Sequence, residues 1–266
     1  MELREYKASD VPELIALWVT VFGDKQNYAE KFFAALPDMG SGVVALCGGK
    51  IIGAAYTLNG QELVESGQTS QIGYIYGVGV YKEYRHKGFG AALCKSVYAL
   101  SKKRGAAVVC TLPAEESLYI WYEKILGMKD VLHRERVTLL SEASEAVMPL
   151  SATEYALWRE KYLAGKCHVH FSSYSMELER QLLTEYGGGF YMTESAICAA
   201  CRDGGSVTVA ELLSADNDAF PRTVASIGAL LGAESCLAYL PAETGEKYIL
   251  SDKPLPADCV WNLSFD

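Results

Sequence analysis

The sequence predicts an α/β fold in which a mixed sheet flanked by helices is laid out twice along 266 residues. Three observations carry this. Residues 72–80 alternate like a β-strand. A cationic turn with two glycines follows and runs into an amphipathic helix. Beyond residue 150 the order of the first half returns: two helices, a hairpin, a connection, a helix and a strand.

Taken in order, Asp10-Val-Pro-Glu13 reads as a capping box with proline in the first turn. Leu14, Leu17, Trp18 and Val21 then share one helix face, and Gly23 closes the helix. A second helix is expected from Asn27, carrying Phe32, Phe33 and Leu36 and stopping before Pro37. Residues 43–47, Gly48-Gly49 and residues 51–58 read as a hairpin. In residues 72–80, Tyr74, Tyr76, Val78 and Val80 are expected on one side, with Gly73, Ile75, Gly77 and Gly79 opposite. A helix starting at about Gly90 presents Leu93, Val97 and Leu100, and Lys102, Lys103, Arg104 and Gly105 end it. Residues 106–112, between Gly105 and Pro113, form an apolar strand. A further helix from Glu115 aligns Leu118, Tyr122 and Ile125 and closes at Gly127.

The turn Arg85-His86-Lys87-Gly88-Phe89-Gly90-Ala91 carries the chemistry. A helix start aims backbone N–H groups and the positive end of the helix dipole at one point, which suits a phosphate. Gly88 and Gly90 let a ligand approach the main chain, and Arg85 and Lys87 supply charge-assisted donors. A Walker loop is excluded because no Gly-Lys-Ser/Thr occurs, and a dinucleotide fingerprint starting at Gly77 fails because Lys82 stands where its third glycine belongs.

The spacing Arg85-x-x-Gly88-x-Gly90 after a strand resembles the pyrophosphate loop of the GNAT acyltransferase superfamily. Tyr122-Glu-Lys-x-x-Gly127-Met128 resembles the signature of that family's fourth helix, with one extra residue between lysine and glycine. The resemblance covers roughly residues 1–140. It implies a GNAT domain over 1–140 that uses acetyl-CoA as co-substrate. Residues 85–91 would hold the pyrophosphate, and the backbone of Val78 and Val80 would hold the pantetheine arm. Tyr122 would protonate the leaving thiolate, with Tyr119 as runner-up. The N-terminal region also resembles the enhanced-intracellular-survival acetyltransferases.

Composition sets wider bounds. Half the residues are hydrophobic, which argues against disorder. No apolar run is long enough to span a membrane, and Met-Glu-Leu-Arg-Glu lacks a signal-peptide pattern. The net charge of −9 argues against a nucleic-acid partner and is compatible with an amine substrate. The eight cysteines fit a reducing cytoplasm. No metal is expected: Cys198-Ala-Ala-Cys201 has no second pair, and core and surface readings of Cys167-His168-Val-His170 are simpler than a ligand set.

Residues 141–150, small and acidic, read as a linker, and 151–266 as a degenerate second GNAT-like domain. Helices are expected over 151–164, 175–186 and 221–231. Residues 190–201 and 206–213 should form a hairpin, with strands at 234–240 and 258–265. The connection Ser214-Ala-Asp-Asn-Asp-Ala-Phe-Pro221 is acidic and lacks glycine where a phosphate loop would be basic, so a pyrophosphate there would be repelled. This half is expected to complete the substrate pocket or to stabilise the first domain.

The resemblance implies direct attack of a small-molecule primary amine on the acetyl thioester. The base stays open. Many GNAT enzymes carry a glutamate near the position of Tyr74, and a water chain, Glu62, Glu65 or the terminal carboxylate of Asp266 could replace it. Of these, Asp266 is taken with Tyr122 as the catalytic pair. The alternative function is a non-catalytic acyl-CoA-binding or regulatory module. The oligomeric state, a homo-oligomer included, stays open.

Overall fold

The computed structural model describes residues 2–216 and 218–265. Its contacts divide the chain into two units. The first holds the residues up to Leu63, then Gln68–Val131 and Tyr248–Leu255; the second holds Val64–Gly67, Leu132–Lys247 and the residues from Pro256 onward.

The first unit contains β1 (Glu2–Glu5), α1 (Val11–Phe22), α2 (Gln26–Met39), β2 (Gly40–Cys47), β3 (Lys50–Leu58), the start of β4 (Gln61–Glu65), β5 (Gln68–Val80), α3 (Phe89–Lys103), β6 (Val108–Thr111) and α4 (Glu116–Leu126). Later labels follow the chain: β7 (Asp130–Leu140), β8 (Met148–Leu150), α5 (Ala152–Leu163), β9 (His168–Phe171), α6 (Ser173–Glu185), β10 (Gly189–Met192), β11 (Ala196–Asp203), β12 (Ser206–Ser214), α7 (Ala219–Leu230), β13 (Ser235–Ala242) and β14 (Glu246–Ser251).

In the first unit the sheet order is β1-β2-β3-β5-β6-β14, with β4 paired to β5. β5 and β6 run parallel; β14 closes the sheet antiparallel to β6, with Leu250 opposite Thr111. Asp252 fixes that strand's end by accepting from the Val109 N–H at 2.8 Å and the Tyr98 hydroxyl at 2.9 Å, beside Lys102 at 2.6 Å. One face of the sheet packs Ile52, Ile75, Val80 and Val109 against Leu93, Val97 and Leu100 of α3. Each fully buried aliphatic side chain there contributes roughly 1.5–3 kcal/mol. Trp18 of α1 and Phe32 of α2 meet Tyr56 and Tyr76 in a separate aromatic cluster.

Three local expectations are corrected. Asp10 makes no side-chain cap for α1; its carboxylate accepts from the Lys7 N–H at 2.8 Å and pairs with Arg4 at 2.6 Å, bracing the turn before the helix. The helix α2 runs through Pro37 to Met39. Proline removes one donor near the helix end, and the Gly40 N–H still closes on Leu36. The alternation of residues 74–80 also breaks. The β3–β5 register steps from Tyr56↔Tyr76 to Ala54↔Gly79, leaving an extra residue in β5. Gly77 sits there at φ +57, with its missing Cβ 2.7 Å from the Trp18 ring. This bulge turns Val78 and Val80 to the α3 face, while Tyr76 stays with Trp18.

The second unit repeats the sheet of the first. Its order is β7-β13-β12-β11-β10-β8. In this sheet β12 and β13 run parallel, matching β5 and β6. The closing antiparallel strand is β7, which precedes the rest of this unit in sequence; β13 pairs with it from Ser235↔Leu140 to Ala242↔His133. The first unit thus takes its closing strand, β14, from beyond the main stretch of the second, and no single cut in the chain separates them. Met148–Leu150, in the expected linker, pairs with β10 as an edge strand.

The helix α5 starts with a reciprocal cap: Ser151 Oγ accepts from the Glu154 N–H at 3.2 Å, and the Glu154 carboxylate accepts from the Ser151 N–H at 2.9 Å. Beneath α5 lies a buried ion pair. Arg159 Nε donates to Glu211 at 2.9 Å, Tyr155 donates to the same carboxylate at 2.8 Å, and Arg159 also donates to the Val169 carbonyl at 2.6 Å. The expected arm 190–201 is two strands, β10 and β11, joined by a turn. The expected strand 258–265 is one isolated bridge, Val260 to His168, with no longer ladder. Trp261, Leu263 and Phe265 are buried instead as core anchors.

Candidate functional site

The first unit opens where its two parallel strands part. Ile72–Ile75 of β5 pair with Val108–Thr111 of β6, and the ladder ends at Ile75↔Thr111. Beyond it, Tyr76–Val80 continue without β6 beside them, helped by the bulge at Gly77. Parallel sheets bind ligands in such a crevice at the carboxyl ends of the strands. The helix α3 begins just after β5. Gly88 is its N-cap at φ +84, a conformation that only glycine adopts without strain. Ala92 donates to the Gly88 carbonyl at 3.0 Å, so the first-turn N–H groups of Phe89, Gly90 and Ala91 have no intrahelical acceptor. Gly90 lies under Trp121 of α4, whose ring is 3.8 Å from where a Cβ would stand.

The basic residues of the turn also hold the turn itself. Arg85 Nε donates to the Val80 carbonyl at 3.0 Å, and Lys87 Nζ donates to the Glu83 carbonyl at 2.8 Å while lying over the Tyr84 ring. His86, at φ +61, is exposed with Arg85, Lys87 and Gly88.

Tyr122 of α4 is buried, and its phenol lies beside Thr111 and the Cys94 thiol of α3. Burial pushes this phenol well above its ordinary range, so it stays protonated through neutral pH. The same burial pushes Cys94 up to about 12. Tyr119, on the same helix, donates to the Tyr248 carbonyl at 2.7 Å and so holds β14. Tyr74 is buried beside Tyr76, whose hydroxyl is 2.6 Å from that of Tyr28. Glu62 is half-buried in β4 and Glu65 is exposed. Asp266 lies outside the described residues. Thr111 and Cys94 were missed by sequence reasoning; a threonine inside the apolar run 106–112 was the available signal.

Among the described residues no group of three or more His, Cys, Asp or Glu is arranged to hold a metal. Cys198 is a core residue of the second unit, while His168 and His170 both face the Glu160 carboxylate, at 3.1 and 2.9 Å. No helix among these residues is long and apolar enough to cross a membrane.

Residues 2–123 match the family model of the acetyltransferase (GNAT) domain. The whole chain shares its fold with solved acetyltransferase-like structures. A conserved Enterococcus faecalis V583 protein described as a probable N-acyltransferase superposes with a TM-score of 0.73 at 14% identity, covering 94% of this chain and 72% of that one. Eis1 from Mycobacterium abscessus gives 0.65 at 13% identity, over 94% and 73%. A putative acetyltransferase from Pyrococcus horikoshii gives 0.64 at 12% identity, over 99% and 92%. Comparison with curated protein sequences gives no match.

Proposed function

We propose that the protein is an acetyl-CoA-dependent N-acetyltransferase acting on the primary amine of a small molecule, with its cofactor site in the first unit. The observation that carries this reading is the parting of β5 and β6 at Ile75↔Thr111 with the Gly88-capped start of α3 following directly on β5. Main-chain N–H groups of residues 86–91 would take the pyrophosphate. The edge of β5 at Val78 and Val80, beyond the β6 ladder, would pair with the pantetheine amides in the manner of an added strand. Tyr122, kept protonated by burial and contacting the residue at which the ladder ends, would return a proton to the thiolate.

A non-catalytic acyl-CoA-binding module is the second reading. It is favoured by Tyr74, a buried phenol on the strand where a carboxylate base would serve. One experiment separates the two: titrate acetyl-CoA by calorimetry, then measure CoA release against a panel of small amines. Binding with amine-dependent release supports the enzyme, and binding without release supports the module. No binding removes both.

A further inference from the structure

In the second unit, Val260 pairs in parallel with His168, the first residue of β9. The Val169 N–H donates to the Val260 carbonyl at 3.0 Å, and the Val260 N–H donates to the Cys167 carbonyl at 2.9 Å. One residue before this bridge, the same register sets Cys167 beside Cys259. Neighbouring strands run about 4.8 Å apart. That falls within the Cα separation of about 4.4–6.8 Å that a disulfide spans. The two side chains already lie beside one another. Both cysteines are thiols here; Cys167 is half-buried and Cys259 buried.

We propose that Cys167 and Cys259 are a reversible redox pair, oxidised by a low-molecular-weight disulfide of the glutathione class to an intramolecular disulfide that fastens the C-terminal segment to the residues leading into β9. The more accessible sulfur reacts first. The Cys167 thiolate attacks one sulfur of the small disulfide, breaks its S–S bond and expels one small thiolate. The Cys259 sulfur then attacks the Cys167 sulfur of the mixed disulfide and expels the second. Two electrons pass from the cysteine pair to the small disulfide, and the two thiol protons leave on the two small thiols. Burial raises the Cys167 thiol above its usual range, so the reaction quickens as pH rises. The fastened segment carries Trp261, Leu263 and Phe265 into the core. Its Asn262 and Ser264 form one wall of a cavity of about 290 Å³ that Arg134, Glu179 and Tyr239 also line. Oxidation therefore fixes that wall.

The test treats the full folded chain with oxidised glutathione and maps disulfides by peptide mass spectrometry. The expected product is a Cys167–Cys259 cross-linked peptide, lighter by about 2 Da than the two thiol peptides. The oxidised chain should melt about 5 °C or more higher, reversibly on reduction. Cys259→Ser should trap glutathione on Cys167, and Cys167→Ser should leave Cys259 unmodified. A stable mixed disulfide on Cys167 of the wild-type chain would overturn the pair. So would both thiols remaining alkylatable while the exposed Cys47 is converted. Both of these readouts come from the wild-type chain, so they decide the matter even where a variant fails to fold.

Discussion

Thr111 stands between the end of the sheet ladder and the Tyr122 phenol. Its hydroxyl donates to the Ile75 carbonyl at 3.0 Å and lies beside the Tyr122 phenol. The last paired residue of β6 thus flanks a buried acidic proton where the parallel strands separate. Tyr122→Phe keeps the ring and removes that proton. Turnover should fall by about 10²–10⁴ with acetyl-CoA affinity nearly unchanged. The raised phenol stays protonated below its own pKa, so any loss of activity from its ionisation should occur only above the ordinary tyrosine range, on the alkaline side. A turnover equal to wild type would return Tyr122 to a packing role.

In the proposed cofactor site, Gly88 would act through its backbone. At φ +84 a side chain is strained by roughly 1–2 kcal/mol. Its missing Cβ points into open space, so a larger residue meets no clash within the fold. Gly88→Glu should therefore still fold while placing a carboxylate at the helix start. Calorimetry should show acetyl-CoA binding lost, and equal affinity in wild type and variant would remove the phosphate role from this turn.

Gly77 controls the parting of the strands. A Cβ there would stand 2.7 Å from Trp18, at a backbone φ of +57. Gly77→Ala should destabilise the chain by about 1–3 kcal/mol in urea titration. It should also weaken acetyl-CoA binding, because the bulge orients Val78 and Val80. Unchanged stability and unchanged affinity together would show that the bulge is not needed.

Local chemistry was readable in the sequence. Gly23 and Gly127 cap α1 and α4 with positive φ, as their positions after apolar periodic runs indicate. The glycine turn at Gly88 and the helix α3 that follows it were equally visible. What stayed hidden depends on neighbours distant along the chain. The bulge at Gly77 depends on Trp18, and alternation alone continued the strand past it. The residues of β14 reach β6 from far along the chain, which hydrophobic patterning of 246–251 does not record. Arg159 and Glu211 are 52 positions apart, and each alone reads as a surface charge.

That pair should dominate the stability of the second unit. Both side chains are fully buried, and the guanidinium and the Tyr155 hydroxyl together occupy the Glu211 carboxylate. Arg159→Met leaves a buried carboxylate without its cation and should cost about 3–5 kcal/mol. Combining it with Glu211→Leu removes the stranded charge as well. The double variant should be more stable than Arg159→Met, giving a favourable coupling of about 1–3 kcal/mol in a double-mutant cycle. Additive losses would mean that the two side chains act independently.

The repeated topology makes the number of bound cofactors a decisive measurement. In the second unit β12 and β13 also part after Val209↔Ala238, and α7 starts nearby, as α3 does after β5. The chemistry at that start is reversed. Asp216 accepts from the Asp218 N–H at 2.9 Å, and Ser214 Oγ accepts from the Asp216 N–H at 3.0 Å, so the turn's donors are used by its own side chains. Both described acids there also oppose a pyrophosphate by charge. Acetyl-CoA should therefore bind with a stoichiometry of one per chain. Replacing Asp216 and Asp218 together by asparagine removes the repulsion but leaves these donors occupied, so the stoichiometry should stay at one. Calorimetry that gives two sites in the wild-type chain would show that the second unit binds cofactor despite its acidic turn. Two sites only in the double variant would show that charge alone excludes it.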